Sequence, residues 1–116
     1  MIKYKFYKSK PSDREYYLLS VEKPYDYLGY FTIGHSWNSD EIQKLIDGIK
    51  KVKNKEEDDF FFRTQSGFLA DMDTEDDGVY IFDEFSKDPT KELFIIPFDD
   101  VIKLLEDFKE FIEKEV

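Results

Sequence analysis

DFFFRTQSGFLADMDTEDDGVYIFDEF, residues 59–85, holds three runs of aromatic and branched residues separated by short polar breaks. Asp59–Gln65 is aromatic-rich, Phe68–Met72 is short and Val79–Phe85 is strong; each has the length of a strand rather than of a helix. Ser66-Gly67 and Asp76-Asp77-Gly78 supply tight turns, and Asp-Gly between two such runs is the strongest short-range hairpin signal. The stretch therefore reads as consecutive antiparallel strands. Alternation puts Tyr80, Phe82 and Glu84 on one face, and Val79, Ile81, Asp83 and Phe85 on the other.

Working outward, Glu92–Ile96 is a further short apolar strand after the turn Lys87-Asp88-Pro89-Thr90. Pro97 then opens a final helix to Val116, where a missing N–H costs nothing. Phe98, Val101, Ile102, Leu105, Phe108 and Ile112 make one stripe, widened by Leu104 and Phe111. On the other side, Ile42, Leu45, Ile46 and Ile49 fall on one helical face behind an Asn38 cap, with Ser39 the alternative cap, Glu41 at the third helical position and Trp37 placed to pack on Ile42. That helix is expected to end near Lys53-Asn54-Lys55. Residues 2–8 alternate Ile2, Tyr4 and Phe6 against Lys3, Lys5 and Tyr7, a half-wet strand. Residues 14–22 form a second strand, Lys23-Pro24-Tyr25-Asp26 turns the chain, and Tyr30–Ile33 forms a short third. The order β-β-β-α-β-β-β-(β)-α predicts an α+β fold: one antiparallel sheet of about six or seven strands with two helices packed on it, in a single domain over residues 1–116.

Composition narrows the function. The 116 residues include twelve Phe, eight Tyr and one Trp, which offset a charged fraction of 38% and argue against disorder. The absence of cysteine excludes a disulfide framework and a thiolate zinc site, and fits a reducing cytoplasm. The N-terminus has no signal-peptide core, and no apolar run spans a bilayer. Charge is divided unevenly: residues 1–55 carry eleven Lys/Arg and seven Asp/Glu, residues 56–116 carry six and twenty, within a net charge of −10. Twelve of those acids, with two bases, lie between Glu56 and Asp88. Such a face attracts a basic partner and repels nucleic acid and anionic membrane.

No catalytic signature competes with a binding role. Asp73-Thr74-Glu75-Asp76-Asp77-Gly78 followed by Glu84 has EF-hand spacing, apart from Glu at the third position. A calcium- or small-ligand-responsive loop over Asp73–Glu84 is therefore the alternative to an ordinary hairpin turn, though an EF-hand needs flanking helices where strands are expected. His35 is the single histidine, with no cluster for metal and no assembled nucleophile beside it. Paired carboxylates carry no glycosidase signal, because 27 acids make pairs inevitable. Lys3, Lys5, Lys8 and Lys10 interleave with Tyr4, Phe6 and Tyr7, which reads as an edge strand guarded by lysines rather than a base-stacking surface. No cofactor and no metal is expected.

Gly29-Tyr30-Phe31-x-Ile33-Gly34-x-x-Trp37, followed by the Ile42–Lys53 helix, resembles small immunity proteins of bacterial polymorphic-toxin systems, including contact-dependent growth inhibition. The layout of the whole chain shares the likeness: an aromatic first strand, that segment, an acidic aromatic middle and the Pro97–Val116 helix. The resemblance implies a cytoplasmic, non-enzymatic protein that neutralises one cognate toxin, often a nuclease, acting as a monomer or weak homodimer. Nuclease sites are basic because they hold phosphate, so an acidic protein can occupy one. The expected toxin-binding residues are Asp71, Asp73, Glu75, Asp76, Asp77, Asp83 and Glu84, with Tyr80 as an anchor among the aromatics Phe68, Phe82 and Phe85.

Overall fold

The structure is a computed structural model that describes residues 2–9, 16–33, 36–64 and 66–115. The fold is α+β, as expected, but its six strands form two antiparallel sheets rather than one. β1 (Tyr4–Ser9) and β2 (Tyr16–Val21) make a hairpin in which Phe6 faces Leu19. The alternation read in residues 2–8 holds: Tyr4 and Phe6 are partly buried, Lys5 and Tyr7 exposed. β3 (Asp59–Arg63), β4 (Phe68–Asp73), β5 (Gly78–Asp83) and β6 (Phe94–Pro97) form a four-stranded meander in chain order. Arg14 and Glu15, the expected start of the second strand, lie outside the described residues, as do Lys10, Gly34, His35 and Gln65.

The expected third strand at Tyr30–Ile33 is a correction. Residues Asp26–Thr32 coil into a 3-10 helix. Its cause is local. Leu28 N–H donates to the Tyr25 carbonyl (3.0 Å) and Ile33 N–H to the Tyr30 carbonyl (3.1 Å). The Thr32 hydroxyl donates to the Gly29 carbonyl (2.8 Å) and accepts from Leu19 N–H (3.3 Å). Polar groups that a sheet would pair are thus used within three residues or by one side chain. Leu28, Phe31 and Thr32 fall on one side and are buried, the spacing of a coil and not of a strand. Without that strand nothing bridges the hairpin to the meander, and two sheets result.

α1 (Ser39–Lys53) starts as its sequence predicts: the Asn38 side chain accepts from Glu41 N–H at 2.9 Å. Its stripe Ile42, Leu45, Ile46, Ile49 and Val52 is buried, and lysines occupy its last turn. Lys55 follows with φ of 62°, the left-handed conformation common after a helix end. α2 (Phe98–Glu115) begins one residue after Pro97, which closes β6 instead of opening the helix. Both helices pack on the same side of the meander, α1 against β3 and β4, α2 against β5 and β6. Phe62, Phe68, Ala70, Val79, Ile81, Val101, Leu104 and Leu105 line one shared interior.

The hairpin closes on α2. Phe6 stacks on Phe108 (5.4 Å between ring centres), and Tyr17 meets Phe111 edge-on (6.1 Å). The Tyr4 hydroxyl donates to the Asp107 carboxylate at 2.5 Å. Burial, then that carboxylate, pushes the Tyr4 phenol well above its ordinary range.

Gly29 lets the 3-10 helix touch β2: a Cβ there would stand 2.5 Å from the Leu19 carbonyl oxygen. That neighbour is backbone and cannot swing away. Gly29→Ala is therefore expected to destabilise the protein by about 1–3 kcal/mol, read as a lower urea midpoint with unchanged slope.

Candidate protein-binding face

With both helices on one side, the other face of the meander is uncovered. Strand register determines what it presents. Phe61 lies opposite Asp71, Asp71 opposite Tyr80, and Tyr80 opposite Ile95, one row across all four strands. A second row runs Arg63, Leu69, Phe82. The inward partners of these positions, Phe68, Ala70, Met72, Val79, Ile81 and Ile96, are buried in the core, so the sheet keeps the strict alternation of a two-faced strand. Outward, Phe61 is 55% exposed, Leu93 45% and Ile95 43%. A row of large apolar side chains left open to water makes this face the candidate interaction surface.

The acids gather at one end of this face. The β4–β5 turn is braced by its own carboxylates: the Asp73 carboxylate accepts from Glu75 N–H (2.9 Å) and Asp76 N–H (3.1 Å), while Asp76 accepts from Asp73 N–H (3.1 Å). Asp59 faces Asp73 across the β3–β4 ladder. The electrostatics record this crowding. Asp71 has its carboxyl pushed above the ordinary value of 3.8, first by desolvation, as expected between Phe61 and Tyr80, and then by Asp76, Asp73 and Asp59; a hydrogen bond from Met72 N–H acts in the opposite sense. The Tyr80 phenol is raised chiefly by Asp76, with burial, Glu92, Asp73 and Asp77 adding to it.

Arg63, in the second row, pairs with Glu84, and the lysine pairs lie elsewhere. Lys50–Glu106, Lys53–Asp99, Lys103–Asp107 and Lys114–Glu110 pair on the helices. Among the described residues, Asp71, Asp73, Glu75, Asp76 and Asp77 have no ion pair.

Of the residues expected from sequence, Asp71 and Tyr80 sit at the centre of the face, with Asp73 and Asp76 at its acidic end. Glu75 and Asp77 belong to the same turn. Glu84 lies beyond the far end of β5 and pairs with Arg63 at 3.1 Å. Asp83 departs from the group: it is turned to the other side, toward the Tyr27 hydroxyl, and together with burial holds that phenol well above its ordinary range. Phe68 is 1% exposed and belongs to the core, not to a surface. Phe85 is exposed in the turn after β5, its ring against Gly67, which has φ of 87°. Phe61, Leu93 and Ile95 were missed. The signal for Phe61 was present, because three successive phenylalanines on one strand cannot all face inward.

The calcium-loop spacing falls on a hairpin. Glu84, its twelfth position, stands six residues along β5 from the turn, about 20 Å at strand rise. Strands flank the loop where helices would be needed. Among the described residues no group of three or more His, Asp or Glu is placed to hold a metal, and no helix is long and apolar enough to cross a membrane. His35 lies outside the described residues.

The raised carboxyl of Asp71 has a consequence for stability. The folded protein holds this proton more tightly than the unfolded chain does, so the associated stability is lost as pH rises through the window above 3.8. Asp71→Asn is therefore expected to have a higher urea midpoint than wild type at neutral pH, with the gap closing as pH falls below that window.

Compared with protein-family models, with curated proteins and with solved structures, the chain matches none.

Proposed function

We propose that this protein is a non-enzymatic inhibitor that binds a basic protein toxin through the outer face of its four-stranded sheet, the cytoplasmic role that its resemblance to immunity proteins implies. One observation carries the reading: Asp71 lies between Phe61 and Tyr80 in the register of that face and, among the described residues, has no ion pair. Folding leaves this carboxylate partly desolvated and next to other acids. A lysine or arginine from a partner would neutralise it and could stack on the flanking rings. The exposed aromatic and aliphatic row supplies the apolar contact area, and the acids of the β4–β5 turn supply the field that steers a basic surface inward. A nuclease toxin fits this chemistry, since a site that holds phosphate is basic.

The test is a search of the genes adjacent to this chain's own for a basic toxin domain, then co-purification and calorimetry with it; a neighbourhood with no such domain counts against the reading. Binding is expected to weaken steeply as salt rises. Tyr80→Ala and Asp71→Lys are each expected to weaken it by about tenfold or more. Glu113→Lys on the exposed side of α2 changes net charge by the same amount as Asp71→Lys and is expected to have little effect. Equal losses from Glu113→Lys and Asp71→Lys would reduce the interaction to net charge alone and remove the face from the proposal.

A further inference from the structure

The free edge of β3 carries a self-matching pattern. β3 is terminal in the meander. Thr64 N–H donates to the Phe68 carbonyl (3.0 Å) and Thr74 N–H to the Asp58 carbonyl (2.9 Å). In this antiparallel register Asp58, Phe60, Phe62 and Thr64 are therefore the residues whose backbone groups bond to β4. The N–H and C=O groups of Asp59, Phe61 and Arg63 point the other way, along the open edge. The side chains of the same three residues are exposed on the outer face.

Asp-x-Phe-x-Arg is antisymmetric in charge about its centre. Laid antiparallel against a second β3 with Phe61 facing Phe61, the edge brings Asp59 opposite Arg63 of the other copy, and Arg63 opposite its Asp59. The residues so paired are those with outward-pointing backbone groups, so within the strand hydrogen-bond parity and charge agree in a single register. Within Asp59–Arg63 a shift of two residues either way loses both ion pairs, and a shift of one loses the parity; the shift that sets Arg63 against Glu57 reaches beyond the strand. We propose that β3 pairs with β3 of a second copy, joining two four-stranded sheets into one of eight about a two-fold axis.

Three features favour this edge over the others. Asp59–Arg63 contains no proline, glycine or lysine, the usual guards of an edge strand. β6, at the opposite edge, is four residues long and ends at Pro97. β1 carries Lys5 and Lys8. Beneath the β3 edge, a groove of about 450 Å³ is lined by Lys44, Asp47, Lys51 and Glu57, charges of both signs that can match those of a symmetry mate. The net charge of −10 opposes self-association at long range, and pairing rests on this local complementarity. The inference rests on the backbone edge and on the charges of Asp59 and Arg63, not on the partner reading above; Phe61 is the one residue common to both.

The test is sedimentation of four samples over micromolar to millimolar concentration: wild type, Asp59→Arg, Arg63→Asp, and an equal mixture of the two variants. Wild type is expected to dimerise. Each single variant places like charges opposite one another at both ends of the contact and is expected to raise the dimer dissociation constant by about tenfold or more. The mixture restores opposite charges at both ends and is expected to recover the dimer. Phe61→Pro removes one outward N–H without touching the ladder to β4; it is expected to stay monomeric with an unchanged circular dichroism spectrum. A wild type that remains monomeric throughout, or single variants that dimerise as wild type does, would overturn the pairing. A mixture that fails to recover the dimer would overturn its register. Loss of toxin-domain binding with the dimer intact would count against the proposed function alone.

Discussion

Phe31 is the point on which the fold closes. It is 2% exposed, and its ring meets Trp37, Phe62, Phe68 and Phe108 at 5.7, 6.5, 5.8 and 6.0 Å. Those rings belong to the lead-in to α1, to β3, to β4 and to α2. Phe108 in turn stacks on Phe6 of β1. One aromatic cluster therefore ties both sheets and both helices, and it depends on a short coil delivering one side chain to the centre. The coil holds because Gly29 can lie against the Leu19 carbonyl and because the Trp37 indole N–H donates to the Phe31 carbonyl at 3.1 Å. A continuous strand through these residues would alternate Tyr30 and Phe31 across a sheet, and the chain would lack the turn that lets the hairpin reach α2.

That arrangement explains why one sheet face is left open. The cluster draws α1, α2 and the hairpin to the same side of the meander, and no element among the described residues packs on the other side. An open face is ordinary in antiparallel sheets, and is then usually polar. Here its central row is Phe61, Asp71, Tyr80 and Ile95. Lys50, Lys53, Lys103 and Lys114 meet acids on the helices and Arg63 meets Glu84, while among the described residues Asp71, Asp73 and Asp76 have no ion pair. Asp71 shows the cost: a carboxylate pushed toward its neutral form by the fold around it. Groups that act against the stability of their own fold are expected at sites selected for something else.

Much of this was legible from residue order. Periodicity located α1 and α2, the Asn38 cap was readable from its spacing to Glu41, and the Gly and Asp-Gly breaks separated β3, β4 and β5. Alternation separated Tyr80 and Phe82 from Val79 and Ile81, but which of the two faces is open is decided by where the helices pack. Alternation could not find the 3-10 helix, because Tyr30-Phe31-Thr32-Ile33 is rich in strand formers and the deciding contacts, Gly29 on Leu19 and Thr32 on Leu19, come from residues ten or more positions away. The site was half legible for a related reason. Counting acids identifies Asp71 through Asp77, but which of them share a face is set by register. Asp83 and Glu84 are neighbours in sequence that end on opposite sides of a strand, one toward Tyr27 and the other on Arg63.

The apolar row and the acids around it need each other. An exposed phenylalanine on an unguarded edge, beside exposed Leu93 and Ile95, would favour indiscriminate aggregation in a neutral protein. Twenty acids against six bases over residues 56–116 suppress that association by repulsion. The same acids without the row would be a diffuse field, able to attract a cation but giving it no shape to fit. On the role proposed above, the two together select a surface that brings positive charge and apolar contact in one geometry. At the β3 edge the selection is narrower still, because Arg63 is the single base in the strand and lies two residues from Phe61, as Asp59 does on the other side. A segment with the same order of charges, acid and then base four residues on, neutralises both only when it runs antiparallel, and among the six strands β3 itself carries that order.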